Sequence, residues 1–425
     1  MTFQFRKSRL LTILITVAAF TLVAVLYLSF SRHNDIKIES KLSDFTNPSA
    51  IARLDGTLLS SDSLEVHVSR LMKAAKVYGL ALSVTNDGNT VYQRYFGYKN
   101  FSRHETFEAG TIFYGASLSK PILADIAVQL ASEGILNLDT PLYKYLNRPL
   151  YEYKTTTLQR LLGSAYVDYS DLRFDERYKQ ITARMCLSHT TGLPNWRWLE
   201  DDRKLKIKSN PGARYSYSGE GMHLLQFVIE KLVDRSFDEL AREKVFTQLN
   251  MSRTSYVWQK AYEGKYCVGH DGDGNNLRIP KSNTANGAGS LSTTLEDYSK
   301  YIHAVLSENE QYREMITPQI AITSKQQFGP NSLVTVADND SIKLSYGLGF
   351  GLYQTPYGKA FFKEGHLEGW QHYVVGFPER KYALILMANS DNAESIYKEL
   401  IDLITGNKTT PWYWEGYIPY NSSDQ

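Results

Sequence analysis

Ser117 and Lys120 stand three residues apart in the run Gly115-Ala116-Ser117-Leu118-Ser119-Lys120-Pro121. If Ser117 opens a helix, that spacing puts both side chains on one face. The chemistry it would serve is acyl transfer. A serine hydroxyl becomes an effective nucleophile when a neighbouring base takes its proton, and a lysine can be that base where burial or a second cation lowers its pKa. A helix start adds backbone N–H groups facing the place where a substrate carbonyl would develop negative charge. Pro121 suits such a start, because first-turn N–H groups have no partner inside the helix. Taken alone, the same tetrad also describes an N-cap serine followed by a solvated lysine.

The apolar residues Ile122, Ala124, Ile126, Ala127, Leu130 and Ala131 continue a helix behind the tetrad. Upstream, helical spacing runs through Leu64, Val68, Leu71 and Ala75 over residues 63–78. Residues 80–85 and 90–96 then read as strands joined by Asn86-Asp87-Gly88-Asn89, a strong hairpin signal. Downstream, a short helix is expected at 142–146 and another at 181–187, ending in Ser188-His189-Thr190-Thr191-Gly192-Leu193-Pro194. Leu224, Leu225, Val228, Ile229 and Leu232 mark a long amphipathic helix behind Tyr215-Ser216-Tyr217-Ser218-Gly219. Residues 294–306 read as helix, 346–353, 359–363, 371–377 and 382–388 as strands, and 395–404 as a last helix.

Residues 10–30 carry no charge and follow Arg6, Lys7 and Arg9. At ~1.5 Å rise per residue the run is long enough to cross a ~30 Å hydrocarbon layer. The basic flank predicts an N-terminus in the cytoplasm and the rest of the chain across the membrane. Leu28-Ser29-Phe30-Ser31 offers no clear small-x-small cleavage site, which favours an uncleaved anchor (1–31) over a signal peptide. Residues 32–60 are polar and broken by Asn47-Pro48 and Asp55-Gly56, and read as a tether. The main domain is expected at 61–405, with an aromatic tail at 406–425 that includes Trp412-Tyr413-Trp414.

The composition, 43% hydrophobic and 22% charged over 425 residues, supports a sizeable core. With 47 basic against 45 acidic residues and no basic tract, the chain has no nucleic-acid footprint. Cys186 and Cys267 lie in apolar or aromatic runs and read as buried thiols rather than a disulfide framework. Asp271-Gly272-Asp273-Gly274-Asn275-Asn276 looks like the start of a calcium loop, but Asn276 and Ser282 stand where such a loop needs glycine and glutamate, so a turn-rich loop is expected. No H-E-x-x-H or paired C-x-x-C occurs, so neither a metal nor another cofactor is expected. An α/β-hydrolase elbow would need glycine where Ser119 stands.

Four stretches, in order, resemble the serine β-lactamase-like hydrolases related to class C β-lactamases, penicillin-binding DD-peptidases and their esterase cousins. They are Gly115 to Pro121, Leu187 to Pro194, Pro211-Gly212 to Tyr217-Ser218, and Gly365-His366 before Gly369-Trp370. The resemblance spans residues 64–404 and implies an α+β, β-lactamase/transpeptidase-like fold. In it, an antiparallel sheet is built from the N-terminal hairpin and the C-terminal strands, flanked by helices, with a mainly helical region inserted. By the same resemblance Ser117 would be the acylated nucleophile, Lys120 its proton acceptor and Tyr217, matching the tyrosine of Y-x-N, the proton shuttle. His366 would open the third motif, K/H-x-G, read as His366-Leu367-Glu368-Gly369. The oxyanion hole would be the Ser117 N–H plus an N–H near Gly369, and His189 would form a turn.

Two departures stand out against that pattern. Gly219 replaces the asparagine of Y-x-N, and Glu368 stands where glycine would admit substrate backbone. Both argue against efficient β-lactam hydrolysis. The implied function is a membrane-anchored extracytoplasmic serine hydrolase acting on an amide or ester, be it a D-amino-acid peptide, a small ester or a β-lactam. The alternative is a penicillin-binding-type sensor or binding protein with little or no turnover.

Overall fold

The computed structural model describes residues 40–42, 47–158, 166–307 and 309–422. The expected anchor at 10–30 lies outside them. Among the described residues no helix is long and apolar enough to cross a membrane. All of these residues belong to the unit Glu39–Gln425.

Asp87 and Gly88 both take positive φ, 50° and 74°, and close the expected hairpin between strands Gly79–Asn86 and Asn89–Asn100. Two successive positive-φ residues match the twist of the strands they join. Gly79–Asn86 also pairs with Tyr382–Ala388, so the start and end of the domain share one sheet. The strand order is Ser40–Leu42, Asn89–Asn100, Gly79–Asn86, Tyr382–Ala388, Trp370–Phe377, Gly358–Leu367, Gly351–Thr355, Ser345–Tyr346 and Ile320–Ala321, antiparallel throughout.

Both faces of the sheet are covered, so its strands are buried on both sides. Ser83 and Thr85 contact Ser299 (3.2 Å) and His303 (3.1 Å) on helix α4 (Leu295–Val305). Leu80, Leu82 and Val84 alternate to the opposite face and are equally buried. Helix α1 (Ser61–Ala75) is capped by Ser60 and buries Leu64, Val68, Leu71, Met72 and Ala75, matching its sequence stripe. Helices α2 (Ser119–Ser132) and α3 (Gly219–Val233) belong to the inserted helical region, and α5 (Tyr397–Thr405) follows the last strand. Cys186 and Cys267 are buried free thiols, pushed up in pKa by that burial.

Several boundaries differ from the sequence reading. The strand expected at 346–353 divides into Ser345–Tyr346 and Gly351–Thr355 around a turn in which Gly347 N–H donates to Phe350 O (2.8 Å). The strand expected to stop at 363 continues to Leu367. The stretch read as a tether is folded in part. Ala50–Ala52 and Leu58–Ser60 form a hairpin that buries Ile51 and Leu59, and Asn47 exchanges hydrogen bonds with the backbone of Gln93 (2.8 and 2.9 Å). Strands of three residues are too short to show a period. The aromatic tail packs on the sheet, with Trp412 and Trp414 buried and the Trp414 indole N–H donating to Ser324 Oγ (3.0 Å). In the loop at 271–276, both carboxylate oxygens of Asp271 are taken by N–H groups of Asp273 and Asn275.

Candidate active site

Strand Phe113–Ala116 delivers the chain into a tight turn, and α2 begins two residues after Ser117 rather than at it. Leu118 N–H donates to Gly115 O (2.9 Å) and Lys120 N–H to Ser117 O (3.2 Å). Ala116 is held at φ 45°, a left-handed conformation that costs energy for a residue with a Cβ and fixes how the serine is presented. Tyr298 O–H donates to Leu118 O (3.1 Å) and Tyr256 O–H to Ser119 O (2.8 Å), which bolts the helix start in place. The Ser117 N–H makes no hydrogen bond among the described residues.

Lys120 Nζ lies 2.8 Å from Ser117 Oγ and donates to Ala288 O (2.7 Å). Burial lowers its pKa, Tyr217 works against that, and a second cation, Lys363, adds to the lowering. Both ammonium groups flank Tyr217, at 5.0 Å (Lys120) and 5.1 Å (Lys363) from its ring centroid. Burial alone would raise the Tyr217 phenol, but Lys120 and Lys363 outweigh it and hold the pKa below the ordinary value. Lys363 behaves oppositely. Burial works against its charge, yet Glu364 and Tyr217 prevail and keep it cationic. The site therefore holds a fixed cation, a softened phenol and a lysine primed to lose its proton.

His189 braces the tyrosine. Its ring centroid is 4.2 Å from that of Tyr217, its Nδ1 accepts the Ser218 N–H (3.1 Å), and its backbone φ of 57° makes the turn expected of it. Burial keeps this imidazole neutral. Ser218 Oγ in turn accepts the Gly221 N–H (2.8 Å) and caps α3.

The third motif is displaced from where the sequence placed it. The residue that reaches Tyr217 is Lys363, so the K-x-G triplet at the site is Lys363-Glu364-Gly365. A Cβ on Gly365 would sit 2.9 Å from Gly115 O and 3.2 Å from Leu118 Cγ, so glycine is needed for the strand to approach the Ser117 turn. His366 instead has an exposed side chain, 4.0 Å from the Glu394 carboxylate. Glu368 is exposed at the hairpin tip between the paired residues Leu367 and Trp370. Gly369, at φ 81°, donates its N–H to Asp391 Oδ1 (2.6 Å), which removes that N–H from any oxyanion hole. A lysine three residues before the histidine was the available signal, and its full burial distinguishes the two readings.

Gly219 is explained by packing. A Cβ there would lie 2.6 Å from the Trp196 ring and 2.8 Å from Asn195 O, so Trp196 fills the space an asparagine would use. Gly219→Asn is expected to destabilise the fold by about 1–3 kcal/mol through overpacking and to leave penicillin turnover no better. Thermal unfolding beside a penicillin assay checks both halves, and an undiminished Tm with improved turnover would contradict it.

A cavity of about 840 Å³ is lined in part by Trp198, His223 and Asn286, and is separated from this cluster by Trp196, which stacks on Trp198 at 4.6 Å, and by Ala288, whose carbonyl holds Lys120. Burial lowers the His223 pKa, so its imidazole is neutral.

The described architecture is that of a β-lactamase/transpeptidase-like serine protein. The chain belongs to the Beta-lactamase family, whose model matches residues 64–405. Protein flp of Staphylococcus aureus is 20% identical over 358 residues, covering 80% of this chain and 65% of the relative. Unguisins hydrolase ungD of Aspergillus violaceofuscus is 21% identical over 370 residues, covering 79% and 62%. The chain thus spans somewhat under two thirds of the length of these curated relatives. Among solved structures, the octameric penicillin-binding protein homologue from Pyrococcus abyssi superposes with a TM-score of 0.61 at 22% identity, covering 79% of this chain and 74% of that one. The D-alanine carboxypeptidase AmpC from Burkholderia cenocepacia gives 0.59 at 18% identity, covering 78% and 93%. At these identities the likeness is one of fold.

Proposed function

We propose that this chain is a membrane-anchored, extracytoplasmic serine hydrolase that forms an acyl-enzyme on Ser117 and acts on esters or amides whose leaving groups carry no carboxylate. The observation that carries this reading is the buried Lys120 Nζ at 2.8 Å from Ser117 Oγ, beside a phenol held between two lysines. Lys120 takes the Ser117 proton as Oγ bonds to the substrate carbonyl carbon. The Ser117 N–H is one donor to the resulting oxyanion. The second is the His366 N–H. Strand Gly358–Leu367 is paired on that edge only as far as Phe362, and Glu364 O accepts Lys363 Nζ (2.9 Å). Main-chain groups two residues apart share a strand edge, so His366 N–H faces the same side. Tyr217 then protonates the leaving atom as the tetrahedral adduct collapses, recovering a proton from Lys120, and water attacks the ester with the same groups in reverse. The uncharged run at 10–30 behind three basic residues supports the anchor and the outward placement.

Intact-mass measurement of the full-length protein tests the reading. A fluorophosphonate probe should add a single adduct that maps to Ser117, and the acetyl adduct from p-nitrophenyl acetate should form and then decay. A label elsewhere would remove the Ser117 chemistry, and an acetyl adduct that persists would make the protein a sensor rather than a hydrolase.

A further inference from the structure

We propose that the cavity beside Ser117 is the acyl-side subsite and that it selects large acyl groups carrying a negative charge at their far end. This rests on the acyl-enzyme reading above. At about 840 Å³ the cavity has the size of a small-molecule site. Its wall is also tied to the residues that surround the base. Asn286, in its wall, accepts the Ala288 N–H (2.9 Å), and Ala288 O holds Lys120 (2.7 Å). Trp198, also in the wall, stacks at 4.6 Å on Trp196, whose ring lies 5.9 Å from Lys120 Nζ.

The direction of the substrate follows from the proton donor. Tyr217 must face the departing atom, and its ring is flanked by Phe328 (5.3 Å between centroids) and Lys363. The leaving group therefore exits past Phe328, and the acyl half extends the other way, over Trp196 into the cavity. Val167, Tyr169 and Phe227 give that cavity apolar walls.

Its charges are unevenly satisfied. Glu220 is clamped by Arg197 through three hydrogen bonds, two from the guanidinium (2.7 and 2.9 Å) and one from the backbone N–H (3.0 Å). Asp168 is paired with Lys154 (3.0 Å), and Glu230 accepts the Phe237 N–H (2.8 Å) while burial raises its carboxyl pKa. Two other lining residues, Arg203 and Arg278, are exposed and have no side-chain partner among the described residues. The wall thus spends its acids internally and leaves two guanidinium groups free at the rim, where a terminal carboxylate or similar anion on the acyl group would meet them.

The test uses the full-length protein and three p-nitrophenyl esters: acetate, octanoate and the monoester of suberic acid, which matches octanoate in length and adds a terminal carboxylate. The suberyl ester should exceed octanoate in kcat/KM by about tenfold at low salt and lose that lead at high salt. The Arg203→Gln/Arg278→Gln double variant should lower the suberyl-to-octanoyl ratio by about tenfold, mainly through KM, with the acetate rate unchanged. A wild-type ratio near unity, or a ratio unchanged in the double variant, overturns the proposal. Ser117-dependent acetate turnover in the same assay keeps the acyl-enzyme reading standing in that event, whereas absence of turnover with all three esters removes both.

Discussion

Lys120→Ala is expected to slow acylation by about 10³-fold or more while leaving the fold intact, and Ser117→Ala to abolish it. Nucleophile and base act as a unit, and losing either member of such a unit costs several orders of magnitude. The size of the loss follows from what is on hand to replace the lysine. Lys363 stays cationic and cannot accept a proton, the His189 imidazole accepts from Ser218 N–H, and Tyr217 is bound up with the same two lysines. The pH profile supplies a readout that simple misfolding would not. Burial destabilises the Lys120 ammonium, so the amine appears at lower pH than for an exposed lysine, and the wild-type acylation rate rises with pH through that lowered value. The alanine variant should lack that limb. Acylation rates for p-nitrophenyl acetate between neutral and alkaline pH, with circular dichroism as the folding control, decide it. A variant within tenfold of wild type would exclude Lys120 as the base.

Glu364→Thr is expected to raise kcat/KM for a leaving group with a carboxylate by about 10- to 100-fold relative to the same leaving group as its amide. In the substrate orientation proposed above, Lys363 is the fixed cation on the leaving-group side, and Glu364 already neutralises it, with Oε1 3.3 Å from Nζ and also accepting from Gln327 Nε2 (2.5 Å). A substrate carboxylate arriving there meets a satisfied lysine and a second negative charge. With an effective dielectric constant near 20, a unit charge about 5 Å away contributes roughly 3 kcal/mol, and the partial exposure of Glu364 discounts this. N-acyl-D-alanyl-D-alanine and its C-terminal amide form a matched pair for the measurement. Glu368→Gly, at the exposed hairpin tip, serves as the control and should leave the ratio alone. If Glu364→Thr also leaves it alone, the glutamate does not govern the leaving-group subsite.

Much of this site was legible because it depends on local rules. Ser117 and Lys120 are one turn apart, Asp87-Gly88 can form little else than a hairpin turn, and the stripes at 64–75 and 224–232 state which faces are buried. The third motif was misplaced because both Lys363 and His366 suit the first position of K/H-x-G, and choosing between them needs burial, a property of the assembled sheet. The expected departure at position 368 dissolved with that correction and reappeared, in altered form, at Glu364. Ala288 could not be found at all, since it holds Lys120 through a backbone carbonyl that every residue type possesses. The cavity was equally hidden, because its wall is assembled from segments near 168, 198, 223 and 286 that no spacing rule connects.

The pairing of Leu80 with Ala388 sets the order of events in biogenesis. The hairpin at 79–100 is made early in synthesis, but its inner edge has no partner until nearly the whole chain exists, so native closure is a late, non-local step. A polypeptide built this way cannot complete its sheet until the strand at 382–388 has been made. The same arrangement makes the far end of the chain indispensable. A truncation ahead of residue 382 would leave a long apolar strand edge bare, a template for aggregation rather than a smaller folded domain.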